Sequence, residues 1–454
     1  MNYEQAMEFL EGTKKYGSRL GLASIRRLMD LLGNVQEKIP VIHIAGTNGK
    51  GSVGAMLSSV FAEAGYRVGH FSTPDVFSYE EEFRINNVPI AKERLAEIFT
   101  EVADACRKIE AGGEVPPTRF EVETAAAYLW FYEEGCDAAV IETGMGGATD
   151  ATNVVSKPVL SILTSVSLEH TQFLGKTLRE IAEVKTGIVK PECPAVSMVQ
   201  EEEVEEVFRN RCAETCSPYL IADGENASAV SLSRDDAGSF FDWKADGAGA
   251  HFPEGSSPDE NGKKQDPMFS GIWERIHLSL PGTFQVGNAV CVLESLKFLR
   301  ERYPLLTEAS ARAGLEKTVW PGRFEKIRSH PDFYIDGAHN DGAVEALRET
   351  VDACLPGRKI IYIMGVLADK DYRGMIRRMF APGDQVFAVA PPDNPRALDA
   401  ETLAERLREQ GVDAVPCGTV RGAVEAALRE AGEGGTVLAF GSLSYLKDVK
   451  AALE

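Results

Sequence analysis

The chain has 454 residues, 44% apolar and 26% charged, which excludes disorder along its whole length and predicts two or three domains. Its 48 basic and 69 acidic residues leave a net charge of −21, so it has no general attraction for nucleic acid or an anionic membrane, and any anion needs a local, preorganised site. No apolar run reaches the roughly 18 residues of a transmembrane helix, and the polar start MNYEQAMEFLEGTKKYG is unlike a signal peptide. Eight scattered cysteines without a CxxC pair read as reduced thiols in a cytoplasmic protein, with no zinc-ligand spacing.

Residues 39–45 (IPVIHIA) read as a buried strand, followed by a helix over about 50–64. A second strand is expected at 66–72. A helix over 118–134 opens on Thr118, with Glu121 three residues on as in a capping box. Strands follow at 137–143 and 158–166, then a helix at 178–189. Val/Ile runs alternating with helices predict an α/β fold whose parallel sheet is covered on both faces. Cys212 and Cys216 fall one turn apart on an expected helix. Residues 223–271 are rich in Gly, Ser, Asp and Asn and read as a surface loop or hairpin insert. Regular pattern resumes with a strand at 275–280 and a helix at 284–300. Thr318 to Arg323 reads as a connector. A second alternating series follows, with strands at 333–336, 359–366, 384–390 and 436–441 and helices at 342–354, 372–380, 400–410 and 420–431. The expected division is a domain over 1–317, a hinge over 318–323 and a smaller α/β domain over 324–454.

The chemistry concentrates where strands end. Gly46-Thr47-Asn48-Gly49-Lys50-Gly51-Ser52 joins the first strand to the first helix. Glycines let backbone N–H groups face a phosphate, the helix start adds positive potential, Lys50 supplies a cation and Ser52 a hydroxyl suited to Mg²⁺. The spacing differs from GxxxxGK[ST], and the loop also reads as a Gly-rich turn with an exposed lysine. No GxGxxG supports a dinucleotide. Glu142 ends a strand before Gly144-Met145-Gly146-Gly147 and could share a magnesium with Ser52, or be an ordinary strand-end carboxylate. Asp150 and its neighbours could line the same cleft. His170 follows another strand and reads as a metal ligand or a plain loop histidine. Lys185 reads as a surface lysine of a helix. Asp336, in Asp336-Gly337-Ala338-His339-Asn340, faces a ribose or substrate, or caps a turn. Arg323 is a phosphate clamp or a linker ion pair.

Taken in order, GTNGKGS (46–52), TRFEVETAAAYLWF (118–131), ETGMGGATDATNV (142–154), SLEHTQFLG (167–175), VKTGIVK (184–190), PGTFQVGNA (281–289), WPGRFE (320–325), IDGAHN (335–340), GVLADKDY (365–372) and GSLSYL (441–446) resemble the Mur ligase superfamily. Within it they are most similar to folylpolyglutamate synthase/dihydrofolate synthase. The resemblance covers nearly the whole chain outside 223–271. It implies a P-loop ATPase domain with a smaller Rossmann-like C-terminal domain. It also implies a ligase that phosphorylates a folate or dihydropteroate carboxylate with ATP and joins it to L-glutamate. Carried over, Lys50 would hold the β/γ phosphates within a loop of Gly46, Thr47, Asn48, Gly49, Gly51 and Ser52. Ser52 and Glu142 would bind one Mg²⁺ and His170 a second. Lys185 matches the lysine that is carbamylated and so becomes an anionic metal ligand. Asn288 would sit by adenine, Arg323 on phosphate, Asp336 by the ribose or base, and His339 near the γ-phosphate. A cytoplasmic monomer with small-molecule substrates, without nucleic acid or membrane partners, is implied.

Several positions depart from that pattern. Thr73-Pro74-Asp75 stands where Ser-Pro-His is usual, and Glu81-Glu82-Phe83 where Glu-Arg-Ile is usual. Asp341 replaces a proline after IDGAHN, and GGATDATN differs from a Gly-Gly-Arg-Leu-Asp start. These changes leave open whether the acceptor is dihydropteroate, a mono- or polyglutamylated folate, or a related acid.

Overall fold

The computed structural model describes residues 1–19, 21–232, 238–246, 249–252 and 266–454. Eight strands form the first sheet: β1 (Val41–Ala45), β2 (Val68–Phe71), β3 (Phe83–Ile85), β4 (Val88–Pro89), β5 (Ala138–Glu142), β6 (Leu160–Leu163), β7 (Ala195–Met198) and β8 (Tyr219–Ala222). They run in the order β4-β3-β2-β5-β1-β6-β7-β8. From β2 through β5, β1, β6 and β7 to β8 the neighbours are parallel, and β3 pairs antiparallel with both β2 and β4. Both faces are covered, as the apolar runs predict. On β5, Ala138 and Val140 enter one core with helices Lys50–Glu63 and Thr283–Leu299. Ala139 and Ile141 enter another with helices Lys92–Ala111 and Arg119–Glu133. This is the two-residue period of a strand between two helical layers. Thr118 caps its helix in the expected capping box with Glu121.

The 223–271 segment contains the hairpin that is one of its two sequence readings, but it is packed into the core and not confined to the surface. The residues 233–237, 247–248 and 253–265 lie outside those described. The rest supplies β9 (Ala227–Leu232) and β10 (Ser239–Lys244), which pair with β11 (Ile272–Leu278) in an antiparallel sheet. Phe241, Trp243, Phe269 and Trp273 are buried in the core shared with Thr283–Leu299. The Trp243 indole donates to the buried Glu294 (3.3 Å), which also meets Lys297 at 2.7 Å. Polar composition concealed this role, because only one face of β10 turns inward. Cys216 also differs from expectation, lying beyond the end of helix Glu202–Glu214 with φ 50°.

The second lobe contains β12 (Glu325–Arg328), β13 (Asp332–Ile335), β14 (Ile360–Gly365), β15 (Gln385–Val389), β16 (Asp413–Pro416) and β17 (Thr436–Phe440). Their order is β12-β13-β17-β14-β15-β16, parallel except at β12. The four inner strands are those expected. Edge strands β12 and β16 were not, since neither is buried along its length. Among the described residues no helix is long and apolar enough to cross a membrane.

Trp243→Ala should lower the unfolding free energy by about 3–5 kcal/mol, the usual cost of emptying a large aromatic site. Denaturant unfolding measures this, and an unchanged midpoint would show that the small sheet does not support the main core.

Candidate active site

The carboxyl ends of β1, β5 and β6 are in register, with Ile44 beside Glu142 and Ala45 beside Leu163. Ligands of open parallel sheets bind at this edge. The 46–52 loop leaves β1 here and turns into helix Lys50–Glu63. Gly46 has φ 153°, and a Cβ there would stand 1.9 Å from Thr164 Oγ1, so the loop lies on the end of β6. The Thr47 backbone N–H donates to Ser165 O (2.6 Å), and the Thr47 hydroxyl accepts from the Ser167 N–H (3.1 Å). Lys50 Nζ donates to Thr47 O (3.2 Å) and stands 3.6 Å from Glu142. Ser52 is buried and accepts from Gln285 Nε2 (3.3 Å), and Gln285 Oε1 accepts from Asn288 Nδ2 (2.8 Å).

Charge is packed tightly around this loop. Lys185 is 3% exposed, which overturns its reading as a surface lysine, and its amine donates to Gly46 O (2.5 Å). Burial, aided by Lys50, lowers its pKa to about 7. Burial raises the Glu142 pKa, opposed by the charges of Lys50 and Arg323. Arg323 is half-buried in the cleft wall; burial lowers its pKa, against Asp336 and Glu142. Asp336 accepts the backbone N–H groups of Phe324 (2.8 Å) and Ala338 (2.7 Å), so it caps the turn carrying His339. Its pKa is raised by burial and pulled back by Arg323.

Two polar contacts tie the second lobe to the first at the cleft. Asn48 and Asn340 exchange side-chain hydrogen bonds of 3.2 and 2.9 Å. Glu169 meets Lys370 at 3.1 Å, His339 at 3.6 Å and His170 at 3.7 Å. Burial would raise the Glu169 pKa, but the His339 hydrogen bond and the Lys370 charge hold it well below the usual carboxylate range. His170 has φ 50°, and burial lowers its pKa.

All predicted site residues line one cleft of about 500 Å³: the 46–52 loop, Glu142, His170, Lys185, Asn288, Arg323, Asp336 and His339. Asp150 instead lines a neighbouring pocket of about 210 Å³ that shares Thr73, Gly144 and Met145 with the cleft and includes Phe120. Sequence reasoning assigned no role to Glu169, Lys370, Gln285 or Asn340. Each lies inside a quoted motif, and the adjacency of Glu169 to His170 was the available signal. Of the departing acids, Asp75 is half-buried and Glu82 is buried, near Glu123 of helix Arg119–Glu133. Glu82 accepts from the Asp75 N–H (3.3 Å), while Glu123 accepts from Arg119 (2.7 Å) and Tyr79 (3.1 Å). Burial, with Glu123 and Asp75 nearby, pushes Glu82 well above the ordinary carboxylate pKa.

A model of the Mur ligase middle domain matches residues 44–296, and one of the Mur ligase glutamate ligase domain matches 322–443. The dihydrofolate synthase/folylpolyglutamate synthase of Bacillus subtilis is 32% identical, covering 100% of this chain and 99% of its own. The chain belongs to the Mur ligase family, in its folylpolyglutamate synthase/dihydrofolate synthase branch. The folylpolyglutamate synthase of Lacticaseibacillus casei is also 32% identical, over 90% of each chain. Among solved structures, Mycobacterium tuberculosis folylpolyglutamate synthase complexed with ADP superposes with a TM-score of 0.84 at 26% identity, over 99% of this chain and 98% of that one. The resemblance read from the motifs is thereby borne out, and this Mur ligase is an ATP-dependent enzyme.

Gly46→Ala should cost this ligase about 1–3 kcal/mol, because the new Cβ must displace Thr164. Thermal unfolding reads the loss, and nucleotide affinity measured by calorimetry should fall with it; unchanged values would detach the loop from β6.

Proposed function

We propose that this Mur ligase joins L-glutamate to the carboxylate of a dihydropteroate- or folate-type acid, at the expense of ATP and through an acyl phosphate. The observation that carries this reading is the single cleft in which the 46–52 loop, Glu142 and Lys185 of one lobe face Arg323 of the connector and His339 of the other lobe. A carboxylate is a poor electrophile. Attack of its oxygen on the γ-phosphorus expels ADP and converts it to an acyl phosphate, a good acylating group. The amine of L-glutamate then attacks the acyl carbon, phosphate leaves and an amide forms. Each partner is anionic, so the cleft must gather cations around developing negative charge.

Lys50 supplies the first. Its ion pair with Glu142 is loose, so it can turn toward the β/γ phosphates while the Gly-rich loop presents backbone N–H groups. Arg323 clamps phosphate from the connector, and His339 stands at the transferring group. Ser52 and Glu142 present hard oxygen donors at the loop, and these fit Mg²⁺, which is held by one or two protein oxygens plus phosphates. His170 stands where a second ion would be held. Such ions supply charge neutralisation on the phosphates. Lys185 is an amine kept nearly neutral by burial, the state that combines with CO₂ to a carbamate. The acceptor occupies the Phe120 pocket, whose rim at Thr73, Gly144 and Met145 delivers its carboxylate to the nucleotide. Adenine lies by Asn288. Residues 318–323 act as the hinge between the 1–317 and 324–454 lobes.

A second reading, a Mur-type ligase acting on another acid, draws on the buried Glu82 and Glu123 near Asp75. A panel of acceptors with product masses decides between them. Dihydropteroate or folate should gain one glutamyl residue, and ATP turnover that is equal without any acceptor would sink the ligase reading.

Lys50→Ala should lower turnover by about 10²-fold or more, the usual loss when a group that stabilises developing charge is removed. Steady-state ADP release measures it. Lys185→Ala should lose activity and regain part of it with added acetate. In the wild type the lowered pKa means that the proton leaves as pH rises, so the rate should climb as pH passes about 7. A rate that does not change there counts against the carbamate.

A further inference from the structure

Trp320 opens the WPGRFE segment, three residues before Arg323. Its ring lies against the phosphate loop: a Cβ on Gly51 would stand 2.5 Å from Trp320 Cζ2 and 3.0 Å from its Nε1. The indole packs against two side chains. His70 is 5.5 Å away between ring centroids at 33°, and the Arg84 guanidinium lies 4.9 Å over the ring. His70 and Arg84 are directly paired across β2 and β3, so both contacts come from one position of the sheet. Helix Lys50–Glu63 completes the arrangement with two glycines one turn apart. Gly51 admits Trp320, and Gly54, whose Cβ would stand 2.4 Å from His70 Nε2, admits His70. Neither His70 ring nitrogen nor Trp320 Nε1 has a hydrogen-bond partner, and all three are buried. Burial keeps His70 neutral, so it stacks beside Arg84 without charge repulsion. These polar groups are retained at a cost in hydrogen bonding that an aliphatic hinge residue would avoid.

We propose that Trp320 is a positioning residue for ATP: packed against His70 and Arg84 and seated on Gly51, its indole sets the phosphate loop against the connector that carries Arg323. This rests on the reading that the 46–52 loop holds ATP phosphates. Lobe orientation and loop geometry are then a single variable, since the connector cannot rotate without sliding the ring over Gly51. Trp320 touches the loop and acts through it.

The test uses the full chain as wild type, Trp320→Phe and Trp320→Ala. The chain has four tryptophans, and Trp130, Trp243 and Trp273 are buried away from the cleft. Adding Mg–ATP should change the wild-type tryptophan emission, and Trp320→Phe should abolish that change. KM for ATP should rise about tenfold in Trp320→Ala, within the range expected for a displaced binding group, and KM for L-glutamate should stay constant. Trp320→Phe should restore most of the ATP affinity. Wild-type KM for ATP in Trp320→Ala overturns the proposal, as does an emission change that survives in Trp320→Phe. Should Trp320→Ala fail to fold, the emission comparison decides alone. Calorimetric silence of the wild type toward ATP overturns the ATP reading itself; ATP binding without an emission change overturns only the role of Trp320.

Discussion

Four ionic groups, Lys50, Glu142, Lys185 and Arg323, are gathered at the dry edge of the first sheet, and the architecture is arranged around tolerating them. Buried charge is costly unless it is paired and hydrogen-bonded. Here the pairing is partial. One carboxylate serves two cations, and one amine leans on a backbone carbonyl. Even with Asp336 beside Arg323 no cation of the cluster is tightly ion-paired, an imbalance that the negative charge of a polyphosphate relieves. The long apolar strands that end at this edge, and the helices on both sides, hold the groups close enough for that imbalance to persist.

The same logic explains how much of the fold was legible in the amino-acid order. β1, β5 and β6 read clearly because both their faces are covered, so every position is buried and nearly all are apolar. The hairpin β3–β4 and the edges β12 and β16 gave no comparable signal, since partial exposure frees their sequence from a strict pattern. The burial of the small sheet was hidden for a related reason. Trp243 and Phe241 alternate with polar residues inside a polar stretch, and alternation over so short a span is easily taken for a surface loop or hairpin.

At the site, residue types announced the phosphate loop, but partners could not be read. Asp336 is a case in point. Its place after a strand fitted both ribose contact and a turn cap, and its two backbone hydrogen bonds favour the cap. Lys185 shows the opposite. An isolated lysine on a helix gives no hint that a glycine carbonyl 139 positions away will receive its amine. Glu169 joins His339 and Lys370 only because the lobes meet, a fact of tertiary closure that no local spacing contains.

The two tethers across the cleft differ in kind. Glu169 is an ionic node, sensitive to screening. Asn48 and Asn340 form a reciprocal amide pair, neutral and self-complementary, like two halves of one clasp. High salt would screen the first and leave the second engaged, so Asn48 and Asn340 should keep the lobes joined where ionic strength loosens Glu169 from Lys370.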